Sequence, residues 1–153
     1  MKQYSKIIFV CESGTCRAPM AEAIMKEYTV KYPLQIESRG LVVLFPEPLN
    51  QKAEAILISN GINMTEKMSS QLKEEDLSPE NLILTMEAAH KEKILKDYEQ
   101  AAYANIEVLT ELVGDELEIL NPYGGTLQSY GLCYETLNKT VQKLIHLINE
   151  TEL

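Results

Sequence analysis

Arginine is almost missing from this chain: Arg17 and Arg39 are the only two in 153 residues. Basic residues number 14 against 23 acidic ones, for a formal net charge of −9. A surface that acidic excludes nucleic acid and membrane as partners, because phosphate backbones and anionic lipids carry the same sign. Cysteine is scarce too. Cys11, Cys16 and Cys133 form an odd set, and neither they nor His90 and His146 show the paired spacing of a zinc site. No metal or cofactor is expected. Apolar runs are short. The one nearest the N-terminus is cut by Glu12 after five residues, too soon for a secretory leader, and none approaches the length of a membrane span. A reducing cytoplasm is the expected setting, with the thiols free to react. No repeat or low-complexity linker divides the chain, so residues 1–153 read as one domain with its own core.

What is present alternates strand and helix signals. Ile7 to Val10 is an unbroken apolar run, as in a buried parallel strand. A loop of small residues follows, and Pro19 then sits in the first turn of a helix whose apolar residues (Met20, Ala21, Ala23, Ile24, Met25, Tyr28) carry it to near Tyr32-Pro33. Leu34 to Ser38 reads as a second strand, closed by Arg39-Gly40, and Leu41 to Pro48 as a loop. Ala53, Ile56, Leu57 and Ile58 mark a second helix stopped by Asn60-Gly61. A short helix is expected over 70–76, a third strand over 82–86, a third helix over 87–98 and a fourth strand over 106–109. Asn121 to Gly125 is a loop. The last helix runs from Leu127 or Tyr130 to Asn149, with Leu137, Val141, Leu144, Ile145 and Ile148 at helical spacing. The pattern predicts an α/β fold, a small parallel sheet covered by helices on both faces. In such sheets ligands bind beyond the carboxyl ends of the strands, which is where Cys11 falls.

The stretch from Cys11 to Arg17 carries the chemistry. Consecutive backbone N–H groups in a strand-to-helix loop converge on one point, and the helix N-terminus adds partial positive charge. That field favours the thiolate of Cys11. Arg17 offers a planar fork for two oxygens of a phosphoryl group. Ser13, Gly14 and Thr15 are small enough to let the backbone approach an anion. Together they describe covalent phosphoryl transfer: thiolate attack, a cysteinyl-phosphate intermediate, then hydrolysis. The ligand is then inorganic phosphate or a similar oxyanion, a small phosphomonoester or a phosphorylated protein side chain.

The run from Val10 to Glu22 (Val-Cys-Glu-Ser-Gly-Thr-Cys-Arg-Ala-Pro-Met-Ala-Glu) resembles the signature of the low-molecular-weight protein tyrosine phosphatases. Ser38-Arg39-Gly40, Ser69-Ser70-Gln71-Leu72, the strand ending at Met86 and Asn121-Pro122-Tyr123-Gly124-Gly125 fall where that family has matching segments, so the likeness spans nearly the whole chain. It implies a flavodoxin-like fold with a four-stranded parallel sheet, Cys11 as nucleophile, Arg17 as phosphate clamp, and a substrate cradle of Glu12, Ser13, Gly14, Thr15 and Cys16. Tyr123, and beyond it Tyr130, would line the slot for the substrate's ring.

Three positions depart from the family pattern. The family has asparagine, a loop-bracing side chain, where this chain has Gly14, and a thiolate-bonding serine where it has Ala18. Its general acid is an aspartate at the place of Asn121. An amide cannot protonate a leaving oxygen, and the loss of such help costs on the order of 100- to 10,000-fold in rate. Asp115, Glu116 and Glu118, just upstream, are the candidate substitutes. The alternative to slowed catalysis is a phosphate- or phosphoprotein-binding protein with little turnover.

By the same resemblance, Cys16 either pairs reversibly with Cys11 to protect it or simply fills the loop as a small residue. Thr15 resembles the bacterial protein-arginine phosphatases, where it helps accept phosphoarginine; the plain reading is that the position needs a small side chain. Cys133 reads as a packed residue of the last helix, and a lone downstream cysteine does not meet the arsenate-reductase pattern. His90 and His146 read as packed or solvated, and Lys73-Glu74-Glu75-Asp76 as a solvated helix face.

Overall fold

The apolar run near the N-terminus becomes the centre of the sheet. The structure, a computed structural model, describes residues 3–28 and 30–151. Residues 1–2 and 152–153 of the expected domain, and residue 29 within the expected first helix, lie outside them. Strand β1 (Lys6–Cys11) pairs in parallel with β2 (Gln35–Gly40) on one side and β3 (Asn81–Thr85) on the other, and β4 (Asn105–Val108) pairs with β3. The order β2-β1-β3-β4 makes a four-stranded all-parallel sheet, as the sequence predicts.

Successive side chains of β1 feed opposite layers, as the strand's period of two requires. Ile7, Phe9 and Cys11 join the core under helices α1 (Arg17–Met25), α2 (Gln51–Ser59) and α5 (Leu127–Thr151). Ile8 and Val10 face the other core, with Ile83, Ile94 of helix α3 (Ala88–Asp97) and Ile106. All nine residues of α1 are buried, so the helix is enclosed rather than one-faced. It ends at Met25, well short of Tyr32. Helix α2 is capped by Asn50, whose Oδ1 accepts from the N–H groups of Lys52 (2.9 Å) and Ala53 (3.1 Å), and stops at Gly61 with φ +80°.

Two expectations fail for tertiary reasons. The helix expected over 70–76 is instead extended backbone bridged to the end of β2. Gly40 N–H donates to Ser70 O (2.8 Å) and Leu72 N–H to Gly40 O (2.9 Å), leaving only a 3₁₀ turn at Glu74–Leu77. Asp76 is not on a solvated face. It is buried, accepts from Lys73 N–H (2.9 Å) and pairs with Arg39 Nε (3.2 Å). Smaller differences are a 3₁₀ turn at Glu99–Tyr103 and the end of β4 at Val108, where Leu109 starts the short helix α4 (Leu109–Leu112). Among the described residues no helix is long and apolar enough to cross a membrane.

One buried carboxylate ties the layers beside the site. Glu22 of α1 accepts from Ser38 Oγ of β2 (2.7 Å), Lys26 Nζ (2.6 Å) and Lys67 Nζ (2.9 Å). Burial pushes its pKa up, but the hydrogen bonds from Lys26, Lys67 and Ser38 outweigh that and leave it lowered. A carboxyl held below its unfolded value stabilises the fold above the ordinary glutamate range, and that stability is lost as the pH falls through the lowered value. Glu22→Gln is therefore expected to cost on the order of 1–3 kcal/mol at neutral pH. The difference from the parent protein should shrink in acid, as read by denaturant unfolding across pH.

Candidate active site

Strand order reverses at β1, with β2 on one side and β3 on the other, so a crevice opens beyond its carboxyl end. The loop from Glu12 to Cys16 occupies that crevice. A cavity of about 630 Å³ lies over it, floored by Cys11, Thr15 and Arg17 among others. One wall comes from the segment after β2 (Val42, Glu47, Pro48, Asn50), the other from Asn121, Tyr123 and Tyr130.

The loop's shape is fixed by backbone contacts to its neighbours. Leu41 N–H donates to Cys11 O (3.0 Å), Val42 N–H to Glu12 O (3.0 Å) and Asn50 N–H to Thr15 O (2.9 Å). Gly14 takes φ +72°, and a Cβ there would fall 2.9 Å from Gly40 N; a Cβ on Gly40 would fall 2.6 Å from Ser13 C. The bracing that the family draws from an asparagine is replaced here by direct contact of two glycine backbones. Ser13 and Thr15 hydroxyls hydrogen-bond each other at 2.8 Å, and Thr15 N–H donates to Ser13 Oγ at 3.3 Å. The amides of Ser13, Gly14, Cys16 and Arg17 find no acceptor among the described residues. No acidic side chain in the first turn of α1 offsets the helix's positive end. These are the elements of an anion cradle.

Arg17 is 2% exposed yet lines the cavity. Its Nη1 donates to Ile119 O (2.6 Å) and its Nη2 to Glu87 Oε2 (2.7 Å). Two of its five N–H donors are thus spent on holding the guanidinium in place, and three remain. Arg39 does not line the cavity; it is held by Glu37 (2.5 Å), Ser38 O (2.9 Å) and Asp76. Of the two arginines, only Arg17 is available to a ligand.

The thiols are all free and buried. Burial pushes the Cys16 pKa well up, and its neighbours Cys133 and Cys11 add to the shift against the opposing pull of Arg17. The Cys133 thiol is pushed up to about 11, chiefly by burial, with Arg17 opposing. It packs in α5 with Leu120 O 3.9 Å from its sulfur. Ala18 is fully buried and carries no hydroxyl to offer Cys11. Tyr130 is buried and lines the wall with Asn50, whereas Tyr123 is 72% exposed at the rim.

Asn121 lines the cavity, but its Oδ1 accepts from Tyr123 N–H (3.1 Å), so the side chain braces its own loop. None of the three upstream carboxylates lines the cavity. Asp115 pairs with Lys143 and accepts from Thr140 Oγ1 (3.2 Å), Glu118 accepts from Ala88 N–H (2.6 Å), and Glu116 is exposed. His90 is buried beside Glu87, with Nε2 3.7 Å from Oε2 and Nδ1 without a partner among the described residues.

A model of the low molecular weight phosphotyrosine protein phosphatase family matches residues 6–152. The chain belongs to this family. Staphylococcus aureus PtpB, a low molecular weight protein-tyrosine-phosphatase, is 35% identical over 143 residues, or 94% of this chain and 99% of the relative. Among solved structures, the low molecular weight protein tyrosine phosphatase from T. tengcongensis is 32% identical with a TM-score of 0.83, covering 92% of this chain and 97% of that one. The YwlE arginine phosphatase from Geobacillus stearothermophilus is 27% identical with a TM-score of 0.85, covering 94% and 92%. Family membership places the chain among hydrolases of phosphoric monoesters.

Several parts of this phosphatase-family site escape sequence reading. Glu87 and Ile119 O, which hold Arg17, come from elements 70 and 102 residues away. Asn50 and Gly40 act through backbone contacts that no local pattern announces. Only Glu47, an acidic residue set between Pro46 and Pro48 in an otherwise apolar segment, carries a visible signal.

Proposed function

We propose that the protein is a cytoplasmic phosphatase of the low-molecular-weight tyrosine phosphatase type, one catalytic domain over the length of the chain. Cys11 attacks phosphorus, Arg17 and the loop amides hold the phosphoryl oxygens, and water hydrolyses the cysteinyl phosphate. Glu12, Ser13, Gly14, Thr15 and Cys16 form the substrate cradle, and Tyr123 flanks the entering side chain. The observation that carries this reading is that Cys11 and the braced Arg17 face one cavity across a loop with unpaired amides. The substrate is a phosphorylated protein side chain, with small aryl phosphates and inorganic phosphate as simpler ligands.

Hydrolysis of p-nitrophenyl phosphate, inhibited competitively by inorganic phosphate, is the expected result. Phosphate binding in calorimetry with no release of p-nitrophenol would instead support a binding protein. A second substrate reading, phosphoarginine, is favoured by Thr15 and by the likeness to an arginine phosphatase. It requires a higher kcat/KM on a phosphoarginine peptide than on its phosphotyrosine counterpart.

A further inference from the structure

We propose that Glu12 is the proton donor to the leaving group, the part that Asn121 cannot play. The inference rests on the reading of Cys11 as nucleophile. A donor must be an ionisable group that faces the same cavity as Cys11 and is not already committed elsewhere. Asp115 and Glu118 fail on both counts, and Glu116 does not line the cavity. Glu87 is committed to Arg17. Among the described residues, two carboxylates line the cavity, Glu12 and Glu47.

Position separates them. Glu12 follows Cys11 directly, and its backbone carbonyl is pinned by Val42 N–H at 3.0 Å. Its exposed side chain therefore enters the cavity lining from a fixed backbone next to the nucleophile, and no hydrogen bond or ion pair holds its carboxylate among the described residues. Glu47 belongs to the outer wall, in the segment that exposes Leu44 and Phe45. Its backbone is clamped to Ser69 in both directions, each bond 2.8 Å. A flexible glutamate stem rising beside the nucleophile can follow the bridging oxygen as the phosphoryl group settles into the loop. One fixed at the rim is placed for the rest of the substrate.

In the first step the Cys11 thiolate forms the S–P bond as the P–O bond to the leaving group breaks, and the Glu12 carboxyl proton passes to the departing oxygen. In the second step the Glu12 carboxylate takes a proton from the attacking water, the P–S bond breaks, and thiolate and inorganic phosphate are released. The carboxyl is regenerated and no other reactant is needed.

The test is the dependence of rate on the leaving group. Glu12→Gln is expected to lower kcat/KM, which reports the phosphorylation step alone, roughly 100-fold on phenyl phosphate, and less than about threefold on 2,4-dinitrophenyl phosphate, whose leaving oxygen needs no proton. Asn121→Asp is expected to restore most of the phenyl phosphate rate in the Glu12→Gln background and to change the leaving-group dependence little in the parent. Equal loss of kcat/KM on both substrates, no loss on either, or a leaving-group-selective loss in Glu47→Gln instead would overturn the proposal. A retained burst of 2,4-dinitrophenol in Glu12→Gln shows that fold and nucleophile are intact. Unchanged hydrolysis in Cys11→Ser would mean that the nucleophile reading itself has failed, a result distinct from any outcome at Glu12.

Discussion

Cys11→Ser is expected to lower phosphomonoester turnover by on the order of 10⁴-fold or more while leaving the fold in place. Cys11 is 3% exposed at the end of a fully paired strand, and serine fills nearly the same volume without disturbing either core. A serine hydroxyl stays protonated where a thiol can ionise, so the attack on phosphorus fails. The anion cradle is made of backbone amides and Arg17, which the substitution does not touch. Inorganic phosphate should therefore bind the variant within a few-fold of the parent by calorimetry. Loss of turnover with retained binding is the signature of a nucleophile. Loss of both would make Cys11 a structural residue, and unchanged turnover would remove it from the reaction.

Arg17→Lys should be nearly as damaging, with kcat/KM falling roughly 10³-fold for the loss of an oriented donor pair at the developing charge. The guanidinium spans three jobs at once. It donates to Ile119 O at 2.6 Å and to Glu87 at 2.7 Å, and it presents its remaining N–H groups to the cavity. A lysine ammonium on a flexible stem can satisfy the carbonyl or the carboxylate, but it cannot also give a planar fork to phosphate. Phosphate affinity and catalysis should fall together. A lysine variant with parental kcat/KM would show that the loop amides alone hold the phosphoryl group.

Much of this architecture could be read from the chain because its signals are local. The run Ile7 to Val10 reads as a buried strand, and small residues followed by Pro19 read as the turn into a helix. The glycines at 61 and 124 mark turns where the structure has positive φ. What could not be read depends on which distant backbone lies alongside. Residues 70–72 carry no strand signal, yet Gly40 draws them into an extended bridge. Asp76 looks like one more member of a charged run until Arg39 meets it. The carboxylates at 115 and 118 are near Asn121 in sequence but turned toward α5 and the start of α3. At the site the same rule holds. Cys11, Arg17 and the small loop residues announce themselves, whereas the groups that hold Arg17 do not.

The contact between Gly14 and Gly40 also shapes how this protein can evolve. A side chain at Gly14 would collide with the Gly40 backbone and one at Gly40 with the Ser13 carbonyl, so neither position can take on a side chain while the loop keeps this shape. Variation in the loop is therefore channelled to positions 13 and 15, which line the cavity. New specificities can be sampled there one residue at a time, with the loop amides and Arg17 inherited unaltered.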